Sequence, residues 1–298
     1  MENTNHVITI GSVVVAVDGS PSAEDALVWA ATEARLQKRE LAIVHAVNPP
    51  SSTEQAWLSQ AGISPRQVLK EALADARNLI DRSRTTAGEL VPGLVVSSLI
   101  SEGDPRDLLI DLAGDAAMIV LGSRGRGPVA SLLLGSVSSA VTRGATCPVV
   151  VIRPAYEEAG DGGVLVGTDG SSRSLATVEL AYREASFHGW PLTVVHCLWD
   201  PLLSRVRWSR VLPTEPEYDE ARLRVAETLS GMAEKFPDVE VTVTIAKGSV
   251  DTCLIDMSHH HELLVVGRHA RTLSQRLEWG WPTTGIIEHA GSPVVVVP

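Results

Sequence analysis

The segment VVVAVDGS (13–20) returns as VLVGTDGS (164–171), and LAIVHAV (41–47) returns as LTVVHCL (192–198). Both pairs are offset by 151 residues (164 − 13 and 192 − 41). Farther along, MIVLGSRGRG (118–127) aligns with LLVVGRHART (263–272), and CPVVVI (147–152) with SPVVVV (292–297), at an offset of 145. A register kept across each half is a duplication of a whole domain, because its period far exceeds the ~20–50 residues of a solenoid repeat. The 298-residue chain is therefore expected to fold as two copies of one architecture. The expected division is 1–155 and 160–298, around RPAYEEAGDGG (153–163), where acidic residues and glycines interrupt the apolar pattern.

Each copy has the same rhythm. Short apolar runs without polar alternation, such as VVVAV, LAIVHAV, MIVLG and PVVVI, suit strands buried on both faces. Between them, SAEDALVWAATEARLQ and SPRQVLKEALADARNLIDRSR carry apolar residues at helical spacing. Ser22 is a candidate cap for the first helix and Pro65 a candidate start for the second. DPRDLLIDLAGD and SVSSAVTRG read as a third and a fourth helix. Strands alternating with helices predict an α/β fold with two tandem doubly wound domains. Five parallel strands and about four helices are expected in each.

The bulk numbers exclude some classes of function. A net charge of −11 argues against nucleic acid and anionic membrane as partners, since neither phosphate backbone nor lipid headgroup would meet a basic face. The start of the chain has no basic residue before an apolar run that ends at Asp18, which is unlike a signal peptide. Three scattered cysteines, Cys147, Cys197 and Cys253, fit a reducing compartment better than a disulfide framework. Together these predict a cytoplasmic protein.

In open α/β sheets, ligands bind past the carboxyl ends of strands where the strand order reverses. Residues just after each strand are therefore the candidates: Asp18-Gly19-Ser20, then Val47-Asn48-Pro49, then Glu102-Gly103-Asp104-Pro105. The fourth is the loop GSRGRGPVASLLLGS (122–136). Glycines there let a backbone approach an anion closely and leave N–H groups exposed. Gly135-Ser136 then opens a helix, whose N-terminus attracts phosphate. Ser136 and Ser138 add hydroxyls, and Arg124 and Arg126 add charge. The alternative is that the glycines only make a turn and Ser136 only caps. The loop is neither a P-loop nor a dinucleotide fingerprint, for no Lys follows Gly135 and no GxGxxG follows strand one.

The spacing Gly122-x2-Gly125-x9-Gly135-Ser136 resembles the ATP-binding signature of the universal stress protein family. The resemblance extends to VAVDGS, the histidine-containing IVHAV, the EGDP turn and CPVVVI, and it spans nearly the whole chain twice. It implies a strand order of 3-2-1-4-5 with the switch point between strands one and four. It also implies an ATP site, with Mg as a companion ion, and a regulatory role in stress response that depends on nucleotide occupancy. By the same resemblance Asp18, with Gly19 and Ser20, contacts adenosine. Val47 or Ala46 meets adenine through backbone. Gly122, Arg124, Gly125, Gly135 and Ser136 form the phosphate cradle, continued by Val137 and Ser138. Asp18 has a plainer reading, as a cap for the next helix. His45, repeated as His196, reads as a core or supporting histidine rather than a ligand.

The second copy departs from the pattern. Asp169, Gly267 and Gly280 keep their places, and Arg268, Arg271 and Arg276 supply charge. Ala270, however, stands where the first copy has Gly125, and Trp281 where it has Ser136. A Cβ at 270 is costly if the backbone needs a positive φ or phosphate contact. Trp279 and Trp281 either stack on a base, close the pocket or stand as exposed aromatics at an inter-domain contact, and Trp199 and Trp208 can join them. His259-His260-His261 point in different directions on a helix, so a shared metal is not expected. Three functions remain open. One is a nucleotide-binding regulator. Another is a slow ATPase, for which only Asp18 and Asp104 offer chemistry, so no catalytic residue is assigned. The last is a scaffold whose second site has lost its ligand. The apolar final strands need cover, and the family resemblance implies that the two copies pair through them, with a homodimer as a further step.

Overall fold

Val and Ile runs build the strands, and the buried positions within them show why. In the computed structural model, which describes residues 8–125, 134–153, 162–200, 208–268 and 282–298, Val13, Val14 and Val15 are all fully buried, as are Leu41, Ala42 and Ile43. Strands buried on both faces need helices on both faces. The first half supplies them in the order β1 (Val13–Ala16), α1 (Pro21–Leu36), β2 (Leu41–Val47), α2 (Ser52–Gln60), α3 (Pro65–Leu90), β3 (Val96–Glu102), α4 (Pro105–Leu112), β4 (Met118–Gly122), α5 (Ser136–Gly144) and β5 (Val149–Ile152). Its strand order is β3-β2-β1-β4-β5. β1 pairs in parallel with β2 on one side and β4 on the other, through Val13↔Leu41 and Val13↔Met118.

Alternate strand residues face opposite layers. Val14, Ala42, Val44, Ile119 and Leu121 pack with Leu109 and Leu112 of α4 and Val141 of α5. On α1 the buried positions include Ala23, Ala26, Ala30, Ala31 and Ala34, and small side chains let that helix lie close to β1 and β4.

The second half repeats the plan, as β6 (Val164–Thr168), α6 (Leu175–His188), β7 (Leu192–Leu198), β8 (Ser209–Arg210), α7 (Pro216–Thr228), α8 (Met232–Lys235), β9 (Val241–Lys247), α9 (Val250–Ser258), β10 (Leu263–Gly267), α10 (Pro282–His289) and β11 (Val294–Val297). Here the order is β11-β10-β6-β7-β9-β8. The chain divides into two compact units between Val149 and Val150. Among the described residues, no helix is long and apolar enough to cross a membrane.

Four details differ from the pattern-based expectation. α1 is capped by Ser20, not Ser22, because the Ser20 hydroxyl accepts from the Ala23 N–H. α2 has no buried residue and so no apolar stripe to announce it; a Ser51–Glu54 capping box holds its start. β8 has only two residues and lies antiparallel on β9, too short to show alternation. A 3-10 turn, Ser172–Ser174, precedes α6.

Cys147 lies in the core beside Ile119 and Val149. Burial pushes its thiol up to about 11, so the nucleophilic thiolate is scarce at neutral pH. Folded protein treated with iodoacetamide at pH 8 should keep Cys147 unmodified. Unfolding in guanidinium should expose it, with peptide mass spectrometry as the readout.

Candidate functional site

The first-half site begins where β1 leaves its neighbours. The β1–β4 ladder ends at Val15↔Val120 and the β1–β2 ladder at Ala16↔Val44. Val17 donates its N–H to the Val44 carbonyl. Its own carbonyl lies 2.6 Å from His45 Nδ1. A carbonyl only accepts, so Nδ1 carries the proton. His45 thus holds the end of β1, as a supporting residue does. The chain then turns through Gly19 at φ 75°, a conformation that favours glycine.

Asp18 fixes this turn. Its Oδ1 accepts from the Ser20 N–H at 2.9 Å, while Ser20, not Asp18, caps α1. The loop after β4 lies directly on the same turn. The Ser20 hydroxyl reaches the Arg124 carbonyl at 3.5 Å, and the Ser22 hydroxyl accepts from the Arg124 N–H at 3.4 Å.

Three glycines meet here for different reasons. A Cβ on Gly122 would stand 2.6 Å from the Ser22 carbonyl oxygen, and one on Gly125 2.6 Å from Asp18 Oδ2. The first is against backbone, which cannot move aside; the second is against the end of the Asp18 side chain, which would have to shift. Gly135 is different. Among the described residues, the nearest atom to its would-be Cβ is 3.5 Å away, and its φ of −69° is open to any residue. It stands at the N-cap of α5, which has no side-chain cap bond. Ser, Thr, Asp or Asn is the usual choice at such a position.

α5 is anchored to the same strand end. Buried Ser138 donates its hydroxyl to the Gly122 carbonyl at 2.7 Å. That hydroxyl is therefore engaged by protein. Ser136 and Arg124 are exposed and Val137 half-buried. Arg126 lies outside the described residues. At the end of β2, the Val47 carbonyl accepts from the Gly103 N–H at 2.9 Å, and Ala46 is half-buried.

Asp104 is committed elsewhere. It caps α4 and accepts from the Arg106 N–H at 2.8 Å and from Arg106 Nε at 2.9 Å. The Arg106 guanidinium and backbone N–H hold its carboxyl at about 2, a weak proton acceptor near neutrality.

The second half repeats the strand-end device. His196 Nδ1 lies 3.0 Å from the Thr168 carbonyl, and Gly170 turns at φ 73°. Asp169 Oδ1 accepts from both the N–H and the hydroxyl of Ser171. Gly267 ends β10, and the Arg268 N–H donates to the Val297 carbonyl at 2.7 Å. Ala270, Arg271, Arg276, Trp279, Gly280 and Trp281 lie outside the described residues.

The family model described as the universal stress protein family matches residues 9–153 and again 163–298. The chain belongs to the universal stress protein family. Among its relatives is universal stress protein Rv2005c of Mycobacterium tuberculosis, 33% identical over 300 residues, covering 95% of this chain and 96% of that one. Universal stress protein Rv1996 of the same species is 31% identical over 300 residues, covering 95% and 94%. The fold is shared with the crystal structure of a universal stress protein from Archaeoglobus fulgidus DSM 4304, with a TM-score of 0.68, 19% identity and 98% of each chain covered.

The second universal stress protein domain also holds a cavity of about 270 Å³ at the end of β7, lined in part by Leu198, Trp199, Asp200, Arg224 and Lys247. Arg224 sits against the Asp169 turn: a Cβ added to Gly170 would lie 3.2 Å from the Arg224 Cβ. Both cations are paired within the domain. Lys247 Nζ lies 2.9 Å from Glu215 and 3.3 Å from Glu217, and Arg224 lies 2.6 Å from Glu220. Glu215 holds Lys247 above its ordinary value. Position 247 corresponds to Glu102 of the first domain, so the strand-three end changes sign. The charge swap was visible in the aligned halves, but its partners on and beside α7 were not. Trp199 is exposed at the cavity, whereas Trp208 donates its indole N–H to Asp256 at 2.9 Å. His261 donates Nδ1–H to the Met257 carbonyl at the end of α9; burial lowers its pKa.

These contacts carry consequences for stability and titration. Gly122→Ala should destabilise the protein by about 1–3 kcal/mol in urea unfolding, because the new methyl meets backbone that cannot rotate away. Asp104 should stay ionised down to about pH 2. Its folded value is depressed, so its share of stability is full above the ordinary aspartate value and is lost as pH falls through about 2. Side-chain NMR titration of Arg106→Ala should show the Asp104 carboxyl returning upward.

Proposed function

We propose that the first universal stress protein domain binds an adenine nucleotide, ATP accompanied by Mg²⁺, and that occupancy, rather than turnover, is its output in a stress response. The observation that supports this reading is Gly135. Gly122 is required by packing against the Ser22 backbone, so it would be needed with or without a ligand, while a Cβ at Gly125 would meet only the carboxylate end of Asp18. Among the described residues nothing lies closer than 3.5 Å to a Cβ at Gly135 and its φ is open to any residue, yet it leaves the first N–H groups of α5 without a side-chain cap from the N-cap position. A phosphate is the group that suits such N–H donors. Arg124 stands exposed on the same loop, and Asp18 is held at the strand-one turn by Ser20, where a ribose hydroxyl can donate to a carboxylate. Mg²⁺ would travel with the phosphates, since it is held mainly by phosphate oxygens and water.

The regulatory reading is preferred to an ATPase because hydrolysis needs a positioned water and a base. Asp104 is pinned to Arg106 and Asp18 to its own turn.

Gly135→Ser separates ligand from fold. The new hydroxyl should cap α5 and raise stability by up to about 1 kcal/mol, while competing with phosphate and weakening ATP binding about tenfold. Isothermal titration with ATP and urea unfolding on the same variant measure both. The paired substitution Gly125→Ala with Ser136→Trp, which installs the second domain's residues, should abolish that binding event. Unchanged ATP affinity in both variants would sink the assignment.

A further inference from the structure

The two domains treat the same sheet edge differently. In the second domain β8 lies antiparallel on the far side of β9, through Ser209↔Lys247 and Arg210↔Ala246. The Val211 N–H continues the contact on the Ile245 carbonyl at 2.9 Å. Thr244, Ile245 and Ala246 are buried there. The equivalent strand of the first domain is β3, which pairs with β2 alone among the described residues. Leu99, Ile100 and Ser101, at the corresponding positions, stay half-buried.

β3 also lacks the devices that keep a free edge from pairing. Its seven residues, VSSLISE, hold no Lys and no Pro, and the single charge, Glu102, stands at the end. An edge of this kind is a template for another strand. Its outward backbone groups follow from the β2 ladder. The Leu41 N–H donates to the Val95 carbonyl, and the Gly103 N–H to the Val47 carbonyl. Odd-numbered residues of β3 therefore turn their backbone groups toward β2, and Val96, Ser98, Ile100 and Glu102 present theirs outward. Ile100 corresponds to Ile245, whose carbonyl takes the Val211 N–H in the covered edge.

From this edge we infer that the first domain carries a homodimerisation surface, on which β3 pairs antiparallel with β3 of a second copy of this chain. The strand complements itself in one register, centred on Leu99. Ser98 then faces Ile100 and Val96 faces Glu102, so all four outward residues exchange backbone hydrogen bonds. The two Glu102 carboxylates stand about 20 Å apart, six residues (102 − 96) at ~3.3 Å each, well beyond the ~8 Å screening length. Between those pairs Leu99 meets Leu99, and Ser97 meets Ser101, at positions where side chains approach most closely. The Ser97 hydroxyl is buried with no hydrogen-bond partner among the described residues, and the Ser101 hydroxyl of the second copy comes opposite it. Val95, 65% exposed just before the strand, comes opposite Gly103, which has no side chain to crowd it. A second copy is favoured over an unrelated peptide because one register satisfies both edges at once. The two-fold axis through Leu99 makes the contact isologous, so this seam closes at two copies. Seven residues of edge make a small interface, and the dimer is reversible, with a Kd in about the micromolar range.

The test uses the full chain across a concentration series that spans the micromolar range, with sedimentation velocity for mass and NMR for amide exchange residue by residue. The amides of Val96, Ser98, Ile100 and Glu102 should slow as concentration rises and the mass doubles. Those of Ser97, Leu99 and Ser101, bonded to β2, should be slow throughout. Ser98→Pro removes an outward N–H and no β2 bond. It should weaken dimerisation at least about tenfold, since each dimer loses that donor twice. Chains with Ser97→Cys mixed with chains with Ser101→Cys should form a disulfide on mild oxidation, because facing residues there have Cα atoms about 4.5 Å apart. Neither variant alone should link through its new cysteine, and peptide mass spectrometry identifies the linked pair. The wild-type exchange pattern does not depend on any variant folding. The inference is overturned if the four outward amides exchange fast at every concentration, or if they are slow even in the monomer. It is equally overturned if folded Ser98→Pro dimerises as wild type does, or if either cysteine variant links to itself as readily as to the other.

Discussion

The carbonyl of Val17 is the group on which the first candidate site depends. It lies past the last residue that β1 pairs with either neighbour, so no ladder is left to satisfy it. His45 supplies the missing donor from β2, and His196 does the same for Thr168 in the second domain. A buried carbonyl without a partner would cost about 1–3 kcal/mol. With the donor in place, β1 is held up to its final residue, and the Asp18 turn projects from a fixed point. Every later contact, from Ser20 on the Arg124 carbonyl to Ser22 on its N–H, is made against that turn.

Close packing then divides the work among the glycines. Gly122 and Gly125 let the strand-four loop come down on Ser22 and Asp18. That approach carries α5 with it, because Ser138 bonds back to Gly122. Two glycines with a packing role and one without stand in a single motif, and one spacing pattern covers all three. Among the described residues, Gly135 leaves space without a packing reason, which is why it is the position that can separate binding from stability.

The two domains share this frame and diverge in charge around it. Duplication kept the histidine-to-carbonyl bond, the positive-φ glycine after the strand-one aspartate and the Gly103 or Gly248 N–H on the strand-two carbonyl. These satisfy backbone and tolerate little change. The strand-three end moved from Glu102 to Lys247, and the start of α7 answered with Glu215 and Glu217. Charges at a rim are exposed and replaceable, so the rim is where the copies were able to differ.

The amino-acid sequence by itself determined the duplication, the parallel α/β architecture and the family. β-branched runs, helical periodicity and glycine spacing are local patterns, and each is read along the chain without knowing what lies opposite. The strand ends at the switch point were legible as candidates too, because they follow from the strand order. Tertiary structure decided what each residue there touches. Ser20 rather than Ser22 became the cap, Ser138 turned its hydroxyl to Gly122, and Asp104 went to Arg106. Hydrogen bonds act over about 3 Å, and only the folded chain sets which distant residues come within that reach.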